Sequence, residues 1–261
     1  MNYSSINNLF TLQNKLAVVI GGGGHLCGSM AKGLALAGAS IAILDLRIEK
    51  ALKVAEEIRT LYDVKTIAVE VDVTNEESLK NALNKILNDF QNIDILINGA
   101  GINSPKPFLE ITMDDWNSVL DSQITGTMLG CKVFAPIMIK REKGVIINIS
   151  SASAGPPLSK AFAYSVAKAG IKNLTMNLAR EWAQYNIRVN AIRPGFFPTE
   201  WNKKNFITKQ REDAILNHTP MKRYGESSEL IGATIWLSSE ASSFVTGSEI
   251  TIDGGFSCMT I

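Results

Sequence analysis

The stretch Lys15-Leu16-Ala17-Val18-Val19-Ile20-Gly21-Gly22-Gly23-Gly24-His25-Leu26-Cys27 decides the fold of this chain. Its first six residues form a compact apolar strand. Four glycines follow, then a helical stretch to Ala37 that Gly38 stops. A strand, a glycine-rich turn and a helix leave backbone N–H groups and the positive end of a helix dipole facing one point, where an anion such as a phosphate is stabilised. Ser40–Asp45 reads as the next strand and ends in a carboxylate. Ile48, Leu52, Ala55 and Ile58 then recur at helical spacing.

The alternation continues to the end of the chain. Thr66–Val71 is a third strand. Thr74 and Glu77 form a capping-box pattern ahead of Leu79, Leu83, Ile86 and Phe90. Ile93–Ile97 is a fourth strand. Thr112 and Asp115 cap a helix that runs through Val119 and beyond Gly126, with Pro136 near its C-terminal part. Strands at Val145–Ile149, Arg188–Ile192 and Glu249–Ile252 are separated by helices over Ala163–Tyr185 and Ser228–Ser238. Strands that are apolar throughout and alternate with helices predict a doubly wound, mainly parallel α/β sheet of seven strands, covered on both faces. Residues 1–14 are polar and Asn-rich and read as a leader to a single domain over residues 15–261. Within that domain residues 196–223, rich in charge and Asn, read equally as a substrate lid or a solvated connection.

Composition narrows the function. The chain has 261 residues and a net charge of +1, which gives no electrostatic reason for a nucleic acid or an anionic membrane as partner. Three cysteines and two histidines, all well separated, make neither a disulfide frame nor a metal site. There is no secretory signal and no apolar run of membrane-spanning length, so a cytoplasmic enzyme is the expectation.

The chemistry is concentrated at Ser151, Tyr164 and Lys168. Tyr164 and Lys168 are four apart on a helix and share one face. An ammonium beside a phenol favours the phenolate, so Lys168 is expected to lower the tyrosine pKa toward the range where it can pass a proton. Taken alone, Tyr-x-x-x-Lys is a weak signal, equally readable as a lysine stem packed on a ring.

Together with the glycine turn, Asp45 and the segment Asn98-Gly99-Ala100-Gly101, these residues resemble the short-chain dehydrogenase/reductase family from about Lys15 to Gly255. The resemblance implies a Rossmann fold and hydride exchange between a substrate carbon and a nicotinamide cofactor. Tyr164 would be the acid/base, Ser151 would hold the substrate oxygen, and Lys168 would tune Tyr164 and bind the nicotinamide ribose. Gln123, three residues before Gly126, stands where the family has an Asn that orders a relay water. Gly21, Gly23, Gly24, His25 and Leu26 would line the pyrophosphate. Asp45 would take the adenine-side ribose, Asp72-Val73 the adenine, Asn98-Gly99-Ala100 the segment beside that ribose, and Pro194-Gly195 with Thr199 the nicotinamide amide.

The family pattern Thr-Gly-x-x-x-Gly-x-Gly keeps Gly21 here but has His25 and Cys27 at its later glycines, and the second Asn of the central motif is Gly99. Asp45 repels a 2′-phosphate, and Gly21–Ser29 contains no Arg or Lys, so NAD is the expected cofactor; Arg47 would favour NADP only by folding back. The stretches Arg193–Asn202, His218–Met221 and Asp253–Ser257 resemble bacterial sugar-acid oxidoreductases acting on mannonate, fructuronate or gluconate. Asn103, Asn202 and Asn205 would then bond hydroxyls. Lys203, Lys204 or Arg193 would face a carboxylate, although the lysines also read as solvated and Arg193 as a structural ion pair. The family commonly forms homotetramers. A 3-oxoacyl thioester reductase and a noncatalytic dinucleotide-binding protein are the rival readings.

Overall fold

In a computed structural model of the protein, residues 6–199 and 207–259 are described. Seven strands form one sheet: β1 (Leu16–Ile20), β2 (Ser40–Asp45), β3 (Thr66–Glu70), β4 (Ile95–Asn98), β5 (Gly144–Ile149), β6 (Ile187–Pro194) and β7 (Glu249–Ile252). Their order is β3-β2-β1-β4-β5-β6-β7, and every neighbouring pair is parallel. All residues of β1, β4 and β5 are buried, as expected when helices cover both faces.

The helices in chain order are α1 (Asn7–Phe10), α2 (His25–Leu36), α3 (Ile48–Leu61), α4 (Glu76–Asp89), α5 (Met113–Leu120), α6 (Gly126–Lys140), α7 (Phe162–Trp182), α8 (Lys209–Asn217) and α9 (Ile231–Ser238). Ala17 and Val19 face a core layer with Met30 and Leu34 of α2, Val54 and Ile58 of α3, and Leu237 of α9. Leu16, Val18 and Ile20 face the other layer, with Leu79 and Ile86 of α4, Phe134 and Met138 of α6, and Ala179 of α7. The two-residue period of a strand thus sends successive side chains into separate cores. Burying each large aliphatic side chain contributes about 1.5–3 kcal/mol relative to exposure.

Four sequence expectations change. The described end of the N-terminal segment packs on the domain: Leu12 is fully buried in the first core, and its N–H donates to Ala37 O at 2.8 Å. Helix α4 is capped by Asn75, whose side chain accepts from the amides of Glu77 and Ser78; the Thr74 hydroxyl is instead drawn to Asp72 at 2.7 Å. The helix capped by Thr112 is interrupted between α5 and α6 by a π-helical turn at Asp121–Thr125, and Pro136 lies inside α6. The long helix carrying Tyr164 ends at Trp182 and tightens into a 3₁₀ turn over Ala183–Tyr185.

The sheet order reverses at β1, which pairs with β2 on one side and β4 on the other. The crossovers to those neighbours lie on opposite faces, and a crevice opens at the carboxyl ends of the strands. Gly21, Asp45, Asn98, Ser151 and Pro194 all lie at that edge.

Candidate active site

The glycine turn is shaped by contacts that leave no room for side chains. The amides of Gly21 and Gly22 both donate to Leu44 O, at 2.7 and 3.0 Å. Gly21 has φ +77°, and a Cβ there would lie 2.7 Å from the Ala100 amide nitrogen. A Cβ on Gly23 would meet the Asp45 carboxylate at 2.9 Å. The turn ends at Gly24, which caps α2 without a side-chain bond, so the first amides of α2 remain available to an anion. His25 is exposed at the first position of that helix and Leu26 is half-buried beside it.

Asp45 is half-buried. One carboxylate oxygen accepts from the Gly23 amide at 3.1 Å and the other from the Arg47 amide at 3.0 Å. Each oxygen keeps a lone pair for a ribose hydroxyl. Arg47 meets Asp45 through its backbone, and its side chain is exposed. The bare glycine cradle, the open helix end and this carboxylate fit the pyrophosphate and ribose of a dinucleotide.

Two departures from the family pattern compensate each other in space. Cys27 is buried, and a Cβ on Gly99 would overlap its sulfur. The side chain added in the turn therefore fills the room left by the one missing from the central motif. Burial pushes the Cys27 thiol up to about 12, so it is a packing group. Asn98, expected beside the cofactor, turns inward. It is 3% exposed, and its amide donates to Asn148 at 2.9 Å, which in turn donates to Thr175 at 3.0 Å. It ties β4 to β5 and α7, and only the backbone of Gly99 and Ala100 faces the turn. Asp72 is half-buried and held in a local turn by the Thr74 amide and hydroxyl. Val73 packs where a Gly126 Cβ would come within 2.9 Å. Gly195 is seated on β7 through its amide, which donates to Ile252 O at 2.9 Å; Pro194 is buried and Thr199 half-buried.

The catalytic candidates converge. Ser151 caps the 3₁₀ turn Ala152–Ala154, its hydroxyl accepting from the Ser153 amide at 3.2 Å. The Tyr164 phenol lies near the Ser151 hydroxyl, whose polarity favours the phenolate. The Lys168 ammonium lies 5.4 Å from the centre of the Tyr164 ring and donates to Ile149 O at 2.6 Å. The expected lowering of the tyrosine pKa is not seen. Burial pushes the Tyr164 phenol above its ordinary value, because a phenolate is poorly solvated there, and the nearby Ser151 hydroxyl opposes that rise. Burial also pulls Lys168 down to about 8, with Cys27 opposing. The ammonium that was to stabilise a phenolate is itself held in a poorly hydrated site.

Gln123 lies in the π-helical turn and is 3% exposed. Its amide donates to Ile102 O at 2.9 Å, its backbone carbonyl accepts from Thr127 at 2.7 Å, and its side-chain oxygen has no protein partner. Its nitrogen is thus committed to the loop after Gly101, and its oxygen is left for a water. Asn103 is exposed in that loop. Arg193 does not serve as a carboxylate anchor: it pairs with Glu249 at 3.4 Å and donates to Ala152 O at 3.2 Å, inside the sheet edge. Asn202, Lys203, Lys204 and Asn205 lie outside the described residues. Sequence reasoning missed Glu249, although an acid opening the final strand Glu249–Ile252 was a readable signal.

A family model described as "Enoyl-(Acyl carrier protein) reductase" matches residues 26–257. The chain belongs to the short-chain dehydrogenase/reductase family. It is 40% identical over 266 residues to "Uncharacterized oxidoreductase UxuB" of Bacillus subtilis, covering 94% of this chain and 95% of that one. It is 36% identical to the 2-dehydro-3-deoxy-D-gluconate 5-dehydrogenase of Formosa agariphila, with 95% and 94% covered. Among solved structures, a gluconate 5-dehydrogenase from Burkholderia cenocepacia in complex with NADP and tartrate superposes with a TM-score of 0.93, at 32% identity, covering 98% of this chain and 100% of that one. This chain is an oxidoreductase that uses a nicotinamide cofactor and acts on CH–OH groups.

Proposed function

We propose that this chain is an NAD-dependent dehydrogenase of small polyhydroxylated acids, with sugar acids of the gluconate class as substrates. The observation that carries the catalytic part is the convergence of three side chains: the Lys168 ammonium lies 5.4 Å from the centre of the Tyr164 ring, and the Ser151 hydroxyl acts on the same phenol. A nicotinamide dinucleotide would supply the hydride acceptor in oxidation and the donor in reduction, and its nicotinamide ring alone carries a positive charge when oxidised. Ser151 orients and polarises the substrate oxygen. Tyr164 takes the hydroxyl proton in oxidation and returns it in reduction. Its phenol is neutral at rest, so deprotonation draws on the positive charge gathered around it, Lys168 included. The side-chain oxygen of Gln123 is suited to hold a relay water. The turn from Gly21 to Leu26 would hold the pyrophosphate and Asp45 the adenine-side ribose.

The sugar-acid assignment draws support from the relatives named for gluconate and 2-dehydro-3-deoxy-D-gluconate. NAD rests on the half-buried Asp45 carboxylate and the outward Arg47, against the NADP of the Burkholderia structure. Asn103 and Asn202 are proposed to bond substrate hydroxyls. Residues 196–223 are proposed to close over the site.

A homotetramer fits the apolar surface next to α5 and α7. Phe108 meets Phe162 edge-on at 5.1 Å, and Leu109 is 96% exposed. A cytoplasmic location fits three unpaired cysteines and the lack, among the described residues, of a helix long and apolar enough to cross a membrane.

The test is a rate comparison with NAD and NADP on gluconate, 2-dehydro-3-deoxy-D-gluconate and the neutral polyol matching gluconate, at two salt concentrations. The acids should react with a lower KM than the polyol, by a margin that shrinks as salt rises if the carboxylate contact is exposed. Equal activity on acid and polyol, or turnover of apolar ketones only, would sink the sugar-acid reading.

A further inference from the structure

We propose that Glu249 is a positioning residue for the proton transfer: it fixes the Ser150–Ser153 corner against the sheet and α7, and so keeps Ser151 in reach of Tyr164. This rests on the roles proposed above for those two residues. Glu249 opens β7, and its side chain is 9% exposed. One oxygen accepts from the Ser150 hydroxyl at 2.7 Å. The other pairs with Arg193 of β6 at 3.4 Å and Lys172 of α7 at 3.6 Å. A buried carboxylate persists only with such partners, and these come from three different elements.

The four residues of the corner are each tied down separately. Ser150 is held by Glu249. The Ser151 hydroxyl accepts from the Ser153 amide at 3.2 Å. The Ala152 carbonyl accepts from Arg193 at 3.2 Å. The Ser153 hydroxyl meets that of Ser165 on α7 at 3.1 Å. Glu249 commands two of these anchors, one directly and one by holding the Arg193 guanidinium. Through Lys172, one turn beyond Lys168, it also grips the helix that carries the acid/base. Gly155 belongs to the same arrangement, since a Cβ there would overlap the Arg193 guanidinium. The carboxylate touches none of the reacting groups, so its effect is one of placement. A nucleophile or acid/base misplaced by about 1 Å can lose about 10²-fold in rate.

The experiment compares Glu249→Gln, Glu249→Asp and Ser150→Ala with wild type on gluconate, together with NADH binding and thermal unfolding. The expected result is a kcat lowered about tenfold in Glu249→Gln and less in Ser150→Ala, with NADH Kd and substrate KM changed less than about twofold. Glu249→Asp should regain part of the loss. Folded Glu249→Gln and Ser150→Ala proteins with wild-type kcat would overturn the proposal, as would a raised KM or Kd with kcat held.

A second arm needs no substrate. With 3-fluorotyrosine incorporated, the fluorine resonance of Tyr164 is assigned by its loss in Tyr164→Phe. It should move or broaden in Glu249→Gln and Ser150→Ala, and stay in place in Glu57→Gln, a change in a surface ion pair with Lys32. An unmoved resonance overturns the proposal whether or not gluconate is turned over. If Glu249→Gln does not fold, Ser150→Ala, which deletes one hydroxyl, decides. Full turnover in Tyr164→Phe would refute the proposed mechanism itself, whereas an inactive Tyr164→Phe beside a normal Glu249→Gln would refute only the clamp.

Discussion

The glycine turn and the Ser151–Tyr164–Lys168 corner lie at the same sheet edge, yet they tolerate change differently. The turn departs from its family pattern at His25 and Cys27, and the central motif against it at Gly99, whereas the corner keeps all three of its side chains. The difference follows from which atoms each region uses. A dinucleotide phosphate is met by backbone amides and a helix end, so any side chains serve if their volumes add up. Proton transfer needs a phenol, a hydroxyl and an ammonium at particular atoms, and nothing nearby can substitute.

The sharpest break in that comparison would come from Tyr164→Phe. It should cut turnover by about 10²–10⁴-fold while leaving NADH binding within about twofold, as read by steady-state kinetics and fluorescence titration. Asp45 is the one side chain in the cofactor region expected to behave like a catalytic residue. Asp45→Ala should narrow the NAD/NADP preference by about tenfold or more in kcat/KM, because it removes a repulsive element. An unchanged ratio would shift the choice of cofactor to Arg47 or the backbone.

The volume argument is tested by a double-mutant cycle in thermal unfolding. Gly99→Ala should cost about 1–3 kcal/mol by overpacking against Cys27. In a Cys27→Gly background most of that loss should vanish, giving a coupling of about 1 kcal/mol or more. Strict additivity would mean that the two departures are unrelated. The smallest effect concerns pH. Lys168 has a folded pKa of about 8, against an ordinary 10.5. The unfolded chain therefore holds more protons in the window between these values, and this group makes stability rise with pH there, by at most about 1.4 kcal/mol per pH unit. Lys168→Met should remove that rise from the pH dependence of unfolding.

Most of the fold was legible because buried parallel strands are continuous apolar runs with helices between them. Ser40–Asp45 and Glu249–Ile252 coincide with their predicted bounds. Asn75 hid behind Thr74 because both are good caps, and the local turn in which Asp72 engages the Thr74 hydroxyl leaves Asn75 as the cap. Leu12 is one of several apolar residues in an Asn-rich stretch, after Leu9 and Phe10, and its burial goes with its contact to Ala37, just beyond α2. At the site, residue types were readable but their surroundings were not. Tyr164 and Lys168 were found by spacing, while the burial that moves both pKa values away from expectation comes from segments distant in sequence. Arg193 reads both as a carboxylate contact and as a structural ion pair, and the sequence cannot choose because Glu249, its partner, lies 56 positions further on.

The position of β1 has a consequence for how the chain comes into being. Among the described strands it is the first to be made, yet it ends inside the sheet, between β2 and β4. One flank can zip to β2 early, but the other stays an open, wholly apolar edge until residues 95–98 have emerged. No tight hairpin closes any neighbouring pair, so each pairing waits for a crossover to be made first. A nascent chain stalled between β3 and β4 would carry that edge bare, a template for pairing with other chains. Pausing during synthesis is thus most hazardous near residue 90, far in sequence from every residue that does chemistry.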